Sequence, residues 1–258
     1  MRTQGKHENY EVLNLIGYGL AKFDRRFIKL FGFQTKLAFY NFIVQKGIAD
    51  TIGTVKNRQD LFDPFFENGR RGWWQKGEAY IHRKIFIDSL FGSLNVNAFT
   101  NIVNFYINNK SIDANATEQI SPIIRSKFRQ LQETGQEVEL FFMNNYKNIA
   151  YFEQAELEDA RTLGDGYDFQ VDVSIHYYLA EVKGVRTNKG GIRLTNNEFD
   201  KAKELNVNYA LVVVFNLNEI PKMNVVFDPI RNIEFNQKVT NSIQYNYHSN
   251  SISWTKSI

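Results

Sequence analysis

The sequence contains no cysteine among its 258 residues. Disulfide bonds, cysteine zinc sites and thiol nucleophiles are therefore excluded, and we expect a reducing environment such as the cytoplasm. Long apolar runs are also missing, because no stretch approaches the roughly 18 residues that a membrane-spanning helix needs. Residues 1–14 lack the apolar core of a secretory signal. These absences predict a cytoplasmic protein with no membrane partner.

Several motifs that mark common enzyme classes are also missing. The four histidines, at positions 7, 82, 176 and 248, are scattered and form no metal-binding pair at helical spacing. There is no Gly-x-x-x-x-Gly-Lys-Ser/Thr loop for ATP and no Gly-x-Ser-x-Gly elbow for a serine hydrolase. A histidine metal centre, ATP-driven translocation and serine hydrolysis are therefore not indicated.

The charged residues that are present divide unevenly along the chain. Residues 1–110 hold 16 Lys and Arg against 9 Asp and Glu, a net charge of +7. Residues 111–258 hold 15 against 19, a net charge of −4. A basic half joined to an acidic half suggests a polyanion partner for the first and a metal site in the second. An ordinary fluctuation of surface charge gives the same division.

The apolar pattern predicts an α+β protein in two parts. Residues 8–108 carry apolar residues at three- and four-residue spacing, which predicts helices. A polar segment at 108–122 is typical of a linker, and one helix is expected through "IIRSKFRQLQETGQEVELFFMNNY". Strands and one helix follow, with "YALVVVFNL" as a strand buried on both faces and "MNVVFDPI" and "SIQYNYHS" as edge strands. We expect a helical domain over 1–110 and an α/β domain with a mixed sheet, flanked by helices, over 111–258.

Charged residues lie at the ends of two predicted strands in "GDGYDFQVDVSIHYYLAEVKGVR", residues 164–186. Successive side chains of a strand point to opposite faces, so Glu181 and Lys183 share a face and Val182 points into the core. A short turn near "DVSI" predicts an antiparallel hairpin, which would bring Asp168 beside Glu181 and Lys183. A surface ion pair at the edge of a sheet is the alternative interpretation.

These three residue types fit metal-dependent hydrolysis of a phosphodiester. Two neighbouring carboxylates repel each other, and a divalent cation such as Mg²⁺ relieves the repulsion while lowering the pKa of its water. A nearby lysine can orient that water, help to deprotonate it, or offset charge on the phosphate. The layout of Asp168, Glu181 and Lys183 is therefore what Mg²⁺-dependent hydrolysis of a phosphodiester requires.

Four pieces of the sequence resemble one nuclease superfamily. They are Gly166-Tyr167-Asp168, Glu181-Val182-Lys183-Gly184, Leu194-Thr195-Asn196-Asn197-Glu198 and the apolar run Tyr209–Leu217. In this order they resemble the PD-(D/E)xK nucleases, and more narrowly the NO VEIN C-terminal domain family, which also occurs in bacterial restriction-type proteins. The resemblance covers roughly residues 130–230, which is under half of the chain.

The resemblance implies roles for individual residues. Asp168 and Glu181 would bind the metal together with the carbonyl oxygen of Val182, and Lys183 would act on the attacking water. Such nucleases often place another acid on the first core helix, where Glu137 and Glu139 are candidates. Only one of the two can face the site because they are two residues apart, and we favour Glu139. Asn197 and Glu198 are interpreted as helix-capping residues, with a catalytic role as the alternative.

The basic half of the chain contains a candidate helix-turn-helix. "QTKLAFYNFIVQKGIADTIGTVKNRQDLFDPFF" gives a helix, a break with glycine, and a second short helix expected to start near Thr54. The second helix would present Lys56, Asn57, Arg58 and Gln59 to the major groove of DNA, where Arg reads guanine and Asn or Gln reads adenine. An ordinary helical hairpin with a polar outer face gives the same pattern.

A second basic stretch is "NGRRGWWQKG", residues 68–77. It places Arg70, Arg71 and Lys76 around two tryptophans, an arrangement that can hold a phosphate backbone or stack a base.

Together these features predict a Mg²⁺-dependent deoxyribonuclease, a restriction endonuclease that cuts double-stranded DNA and leaves 5′-phosphate ends. A homodimer would be the economical route to a double-strand break, because one active site cuts one strand. A cognate methyltransferase is a candidate partner. The alternatives are a modification-dependent or structure-specific nuclease and a non-catalytic DNA-binding protein with a nuclease-like fold.

Overall fold

The computed structural model describes residues 9–76, 79–108, 121–240 and 245–249. It confirms the α+β class: helices occupy the first part of the chain, and helices flank a mixed five-stranded sheet in the second. The expected linker lies almost entirely outside the described residues, since 109–120 are not among them.

The described part of the chain contains ten α-helices. They are α1 (Tyr10–Phe23), α2 (Arg25–Leu30), α3 (Lys36–Gln45), α4 (Ile52–Phe62), α5 (Ile81–Phe91), α6 (Val96–Asn108), α7 (Pro122–Gln132), α8 (Gly135–Asn145), α9 (Asn196–Leu205) and α10 (Pro229–Asn232). None of the described helices is long and apolar enough to cross a membrane.

Threonine side chains fix the starts of three helices. The side chain of Thr35 accepts a hydrogen bond from the backbone N–H of Ala38 at 3.2 Å. The side chain of Thr51 accepts one from the backbone N–H of Thr54 at 3.1 Å. Thr195 forms a complete capping box with Glu198 at the start of α9, as the sequence spacing predicted. Because Thr51 caps helix α4, that helix begins at Ile52, two residues before its expected start near Thr54.

The sheet consists of five strands in sequence order. They are β1 (Glu156–Asp159), β2 (Phe169–Val173), β3 (His176–Gly184), β4 (Tyr209–Phe215) and β5 (Lys222–Phe227). Strands β1, β2 and β3 are antiparallel neighbours, β4 runs parallel to β3, and β5 is antiparallel to β4. The parallel step needs a crossover, and α9 lies within it.

Both faces of the sheet are covered. One face packs against α8 through Val138 and Phe142, which lie in one apolar cluster with Val182 and Val212. The opposite face packs against α9 through Ala202, which joins Leu179 and Tyr209. Strand β4 is therefore buried on both sides, as its unbroken apolar sequence predicted.

The helical core extends further along the chain than the expected boundary at residue 110. Phe128 and Leu131 of α7 belong to the same apolar cluster as α1 to α6, and the ring of Phe128 stacks on Tyr106 with centroids 3.6 Å apart. By packing, α7 belongs with the helices that precede it, and α8 contacts both cores, with Leu140 against the helices and Val138 and Phe142 against the sheet. Whether the two parts fold as separate domains stays a prediction.

Two predicted elements are wrong. The single helix expected through residues 123–146 is broken into α7 and α8, because Glu133 adopts an extended conformation (ψ 145°). The second edge strand, expected at 242–249, is not formed in its described residues 245–249, which have no regular secondary structure; residues 242–244 lie outside the described part. The other expected edge strand is present as β5.

Candidate active site on the β2–β3 hairpin

The hairpin of β2 and β3 brings Asp168 to the end of β3. Phe169 pairs with Ala180 in the antiparallel register, so the residue before β2 lies beside the residue after Ala180. The backbone N–H of Asp168 donates to the carbonyl oxygen of Ala180 at 2.9 Å. The backbone N–H of Val182 donates to Oδ2 of Asp168, also at 2.9 Å. The predicted hairpin is confirmed, and it fixes the carboxylate of Asp168 against β3.

Asp168, Glu181 and Lys183 line one polar cavity of about 350 Å³. Alternation along β3 places Glu181 and Lys183 on the cavity side, while the side chain of Val182 lies in the core, as predicted. The cavity is lined by Thr134, Gly135, Glu139, Asp168, Glu181, Val182, Lys183, Gly184, Gly191, Ile192, Arg193 and Glu198.

The ammonium group of Lys183 lies between two carboxylates. It donates a hydrogen bond to Oε1 of Glu181 and forms an ion pair with Oε2 of Glu198 at 2.9 Å. Sequence reasoning assigned Glu198 to helix capping, and the capping box confirms that role. The contact with Lys183 was missed, because the spacing of a capping box does not show what lies opposite the helix end.

Burial and mutual repulsion raise the pKa of both acids at the centre of the site. Burial, with a further contribution from the nearby Asp168, raises the pKa of Glu181 to about 8 against the opposing effect of Lys183. Burial likewise raises the pKa of Asp168 to about 6, with a contribution from Glu139, although the hydrogen bond from Val182 opposes the shift. The site therefore holds two carboxyl groups that a cation would help to ionise.

Lys183 stays protonated in this arrangement. Burial alone would lower its pKa, but Glu181 and Glu198 outweigh burial and the pKa is raised. The ammonium group therefore acts as a fixed positive charge and a hydrogen-bond donor.

The structure separates the two candidate acids on α8. Glu139 lines the cavity and forms an ion pair with Arg161 at 2.9 Å. Glu137 is fully buried and pairs with Arg83 at 2.9 Å. The residue that faces the site is thus Glu139, in agreement with the preference drawn from the sequence.

Two further residues near the cavity were missed or misassigned. Arg193 lines the cavity, is exposed, and forms no ion pair within the described part of the chain; its position directly before the Leu-Thr motif was the available signal. Asn197 was interpreted as a capping residue, but its side chain instead donates to the carbonyl oxygen of Gly164 at 2.8 Å.

The four side chains predicted to read DNA from α4 do not share an exposed face. Lys56 and Asn57 are exposed. Arg58 donates to the carbonyl oxygen of the Asn14 side chain at 2.9 Å, and its guanidinium lies over the ring of Tyr10.

Gln59 of the same helix is fully buried. Its side chain accepts a hydrogen bond from the hydroxyl of Tyr40 at 2.8 Å and donates to Asp63 at 3.1 Å. The expected exposure of Arg58 and Gln59 is therefore wrong, because successive residues of a helix point in different directions and these two face the core. For Lys56 and Asn57, DNA contact stays a prediction.

The basic residues of the second stretch, residues 68–77, also differ in their surroundings. Arg70 forms ion pairs with Asp60 and Asp63, each at 2.7 Å, so its charge is already neutralised inside the helical part. Arg71 and Lys76 are exposed, and the ammonium of Lys76 lies 4.3 Å from the ring centroid of Trp73. For Arg71 and Lys76, as for the part-exposed Arg70, contact with a phosphate backbone stays a prediction.

A buried ionic cluster joins the helical part to the sheet and was not predicted. Arg83 of α5 pairs with Glu11 of α1 at 2.6 Å and with Glu137 of α8 at 2.9 Å. Arg186, just after β3, lies 3.6 Å from Glu11. His82 contacts the carbonyl oxygen of Leu217 at 3.3 Å. The helical core is thus anchored to residues on both sides of the candidate site.

The acids of the cavity do not form a ready-made cage. Among the described residues, no group of three or more His, Asp or Glu side chains is placed so that it could hold a metal ion alone. Asp168 and Glu181 are oxygen donors of the kind that Mg²⁺ uses together with water or substrate oxygens.

Comparison with known proteins gives a match for one segment of the chain. No curated protein and no solved structure matches significantly. Residues 138–226 match the family described as Protein NO VEIN, C-terminal. The matched segment holds Glu139, Asp168, Glu181, Lys183 and Glu198, so the acidic residues that line the cavity all lie within the part of the chain that is similar to this family, as the resemblance in the sequence predicted.

Proposed function

We propose that this protein is a Mg²⁺-dependent deoxyribonuclease of the restriction type, and that its NO VEIN C-terminal segment is a PD-(D/E)xK nuclease domain. One observation carries the proposal. Asp168, Glu181 and Lys183 come from two strands, and their side chains line the same polar cavity. Two acids and a fixed ammonium are what hydrolysis of a phosphodiester requires of such a site.

The residues of the cavity suit Mg²⁺. Asp168 and Glu181 provide hard oxygen ligands, and burial together with the neighbouring acids raises their pKa values, so a cation would help to ionise them. When bound, Mg²⁺ supplies Lewis-acid activation of water and of the scissile phosphate.

The protein itself positions the reactants. Lys183, held between Glu181 and Glu198, donates hydrogen bonds from a protonated ammonium, so it orients the attacking water or stabilises the charged phosphate. Its raised pKa disfavours a role as the base. Water attacks phosphorus, the bond from phosphorus to the 3′ oxygen breaks, the water gives up a proton and the leaving oxygen gains one. The ends are a 5′-phosphate and a 3′-hydroxyl.

DNA is the substrate that best fits the charge distribution. Arg193 is the exposed cation at the cavity, and Lys56, Arg71 and Lys76 are exposed on the basic helical part. Lys and Arg contacts to phosphates supply affinity for DNA without regard to sequence. We propose that the helical part holds the duplex while the cavity receives one strand, and that a homodimer cuts both strands.

The proposal is tested by incubating the protein with duplex DNAs of varied sequence and methylation in the presence of Mg²⁺ and sequencing any ends. We expect 5′-phosphate ends, loss of cleavage on chelation, and loss of cleavage in Lys183→Ala with DNA binding retained. Cleavage restricted to methylated DNA would indicate the modification-dependent alternative. Binding without cleavage by the unaltered protein would contradict the proposal and leave a non-catalytic DNA-binding protein.

A further inference from the structure

We infer that the first turn of α9 is a positioning element that holds both halves of the active site, with Glu198 as the positioning residue for Lys183. The inference rests on the proposed function and deepens it. In one short segment, the side chain of Thr195 caps the helix, while Asn197 and Glu198 each contact a different part of the site.

Glu198 is shared between the helix end and the cavity. Its Oε2 accepts a hydrogen bond from the backbone N–H of Thr195 at 3.0 Å, which is one half of the capping box. The same oxygen lies 2.9 Å from the ammonium nitrogen of Lys183. Because the capping bond immobilises the carboxylate, the carboxylate in turn offers Lys183 a fixed partner.

A lysine needs such a partner to act as a fixed charge. Its four-carbon stem is flexible, so a single ion pair leaves the ammonium free to pivot around one contact. Glu181 and Glu198 approach the ammonium of Lys183 from a strand and from a helix, which restricts it from two directions. Glu181 is also a proposed metal ligand, whereas Glu198 serves only the lysine and the helix cap.

Asn197 holds the other half of the site. Its side chain donates to the carbonyl oxygen of Gly164 at 2.8 Å. Its own carbonyl oxygen lies so close to Gly166 that a Cβ added to that glycine would be 2.8 Å away. Gly166 is two residues before Asp168, and its carbonyl oxygen accepts a hydrogen bond from the hydroxyl of Tyr209 at 2.8 Å. The same turn therefore fixes the loop that leads into Asp168.

The inference is tested by comparing Glu198→Gln with Thr195→Ala. Glutamine keeps an oxygen for the backbone of Thr195 and preserves the capping box, but it removes the charge that holds Lys183. Alanine at position 195 removes the hydroxyl that accepts from the backbone N–H of residue 198, and it leaves the Glu198 carboxylate in place. The two variants thus separate the stability of the helix from the position of the lysine.

We expect the two variants to rank in opposite order by their loss of kcat and by their loss of Tm. Glu198→Gln lowers kcat by ~10-fold or more with KM changed little, since misplaced catalytic groups lose rate rather than binding, and its Tm stays near that of the parent. Thr195→Ala shows the larger fall in Tm and the smaller fall in kcat. Glu204→Gln, an exposed acid on the same helix, is the matched control and changes neither value. If kcat follows Tm across the set, Glu198 has only a structural role and the inference is overturned.

A second readout does not depend on cleavage. In a ¹⁵N-labelled protein the ammonium protons of a held lysine exchange slowly enough to give a nuclear magnetic resonance signal. We expect that signal for Lys183 in the parent and in Glu204→Gln, identified by its loss in Lys183→Ala, and its disappearance in Glu198→Gln. If the parent cuts no DNA yet shows this behaviour, the proposed function fails and the positioning role stands. A signal that persists in Glu198→Gln overturns the positioning role, whatever the activity.

Discussion

Glu181 is the buried acid of the cavity. It is 3% exposed, and it faces Asp168 as well as the ammonium of Lys183. An ordinary surface glutamate is ionised at neutral pH. Burial and a second acid raise the pKa of this glutamate to about 8. A residue that keeps its proton at neutral pH in the absence of a cation is costly to ionise, and it is a candidate functional residue for that reason.

The first prediction concerns stability as pH rises. In the unfolded chain Glu181 ionises near its ordinary pKa, and in the folded protein it ionises near 8, so its contribution to stability is complete below the ordinary pKa and is lost as pH rises through 8. Glu181→Gln removes this loss. The free energy of unfolding of the variant, relative to the parent, should rise by on the order of 2–4 kcal/mol between pH 5 and pH 9.

Urea unfolding without divalent cations, repeated at several pH values, measures this difference. His82 shifts the absolute stability the other way, because burial and Arg83 lower its pKa to about 4 and stability is lost as pH falls from its ordinary pKa towards 4. The difference between variant and parent cancels that effect. Glu204→Gln controls for the removal of one acid. If the difference in the free energy of unfolding between variant and parent is the same at every pH, Glu181 is not held protonated in the folded protein.

Arg193 gives a second prediction at the residue scale. It is exposed at the mouth of a cavity that is otherwise dominated by carboxylates, so a phosphate that enters needs it as a counter-charge. We expect Arg193→Ala to raise KM for duplex DNA roughly tenfold, or about 1.4 kcal/mol, with kcat little changed. The dependence of log KM on log salt concentration should become shallower by about one.

The control for this measurement is Arg231→Ala. Arg231 is exposed on α10 and is not among the residues that line the cavity. An equal change of KM in both variants would mean that Arg193 contributes only general positive charge.

At the scale of elements, the sequence predicted those structures whose signal is local. The alternation in 169–184 gave the hairpin, the unbroken apolar run gave β4, and the Thr-x-x-Glu spacing gave the start of α9. Strand β1 was missed, because its sequence, ELED, is exposed and acidic and carries one apolar residue. The break between α7 and α8 was also missed, because neither a proline nor a pair of glycines interrupts the apolar periodicity near Glu133.

The loop that leads into β2 gives a prediction at this scale. Gly164 and Gly166 both have positive φ, +73° and +85°, so alanine strains the backbone at either position. At Gly164 a Cβ meets nothing within 4 Å, whereas at Gly166 it would lie 2.8 Å from the carbonyl oxygen of Asn197. We expect Gly164→Ala to cost about 1 kcal/mol and Gly166→Ala about 2–4 kcal/mol.

Urea unfolding compares the two glycine variants, and cleavage assays show whether the added clash also displaces Asp168. Gly164→Ala is the matched control for backbone strain alone. Equal losses of stability would show that the turn of α9 does not press on this loop.

At the scale of the whole molecule, the buried cluster around Arg83 connects the basic helices to the five-stranded sheet. Arg83 is fully buried, and its two acidic partners come from α1 and α8. Glu137 lies two residues before Glu139 of the cavity, and Arg186 lies three residues after Lys183. A displacement of the helical part would therefore be felt on both sides of the site.

The last prediction tests this junction. Removing one partner of a buried ion pair leaves the other charge buried without compensation, so Arg83→Ala should lower the free energy of unfolding by about 3–5 kcal/mol. Arg83→Met keeps most of the volume without the charge. Combined with Glu137→Gln it should recover part of the loss, because the remaining acid, Glu11, still has Arg186 beside it.

Equilibrium unfolding in urea measures these free energies. Glu204→Ala, which removes an exposed ion pair with Lys201, is the comparison and should change the midpoint little. An equally small change in Arg83→Ala would mean that the cluster does not hold the two parts together.

The amino-acid sequence by itself determined the α+β class, the hairpin, and the common face of Glu181 and Lys183. These depend on alternation and capping, which act over a few residues. Only the tertiary structure decided which charges are free and which are already paired. Arg58, Gln59 and Arg70 were predicted from the sequence to contact DNA, but their side chains already make hydrogen bonds or ion pairs within the helical part. Glu198 and Lys183 are fifteen residues apart in the chain and meet only because α9 packs back onto the sheet. Contacts of this kind follow from how elements pack, which no local pattern encodes.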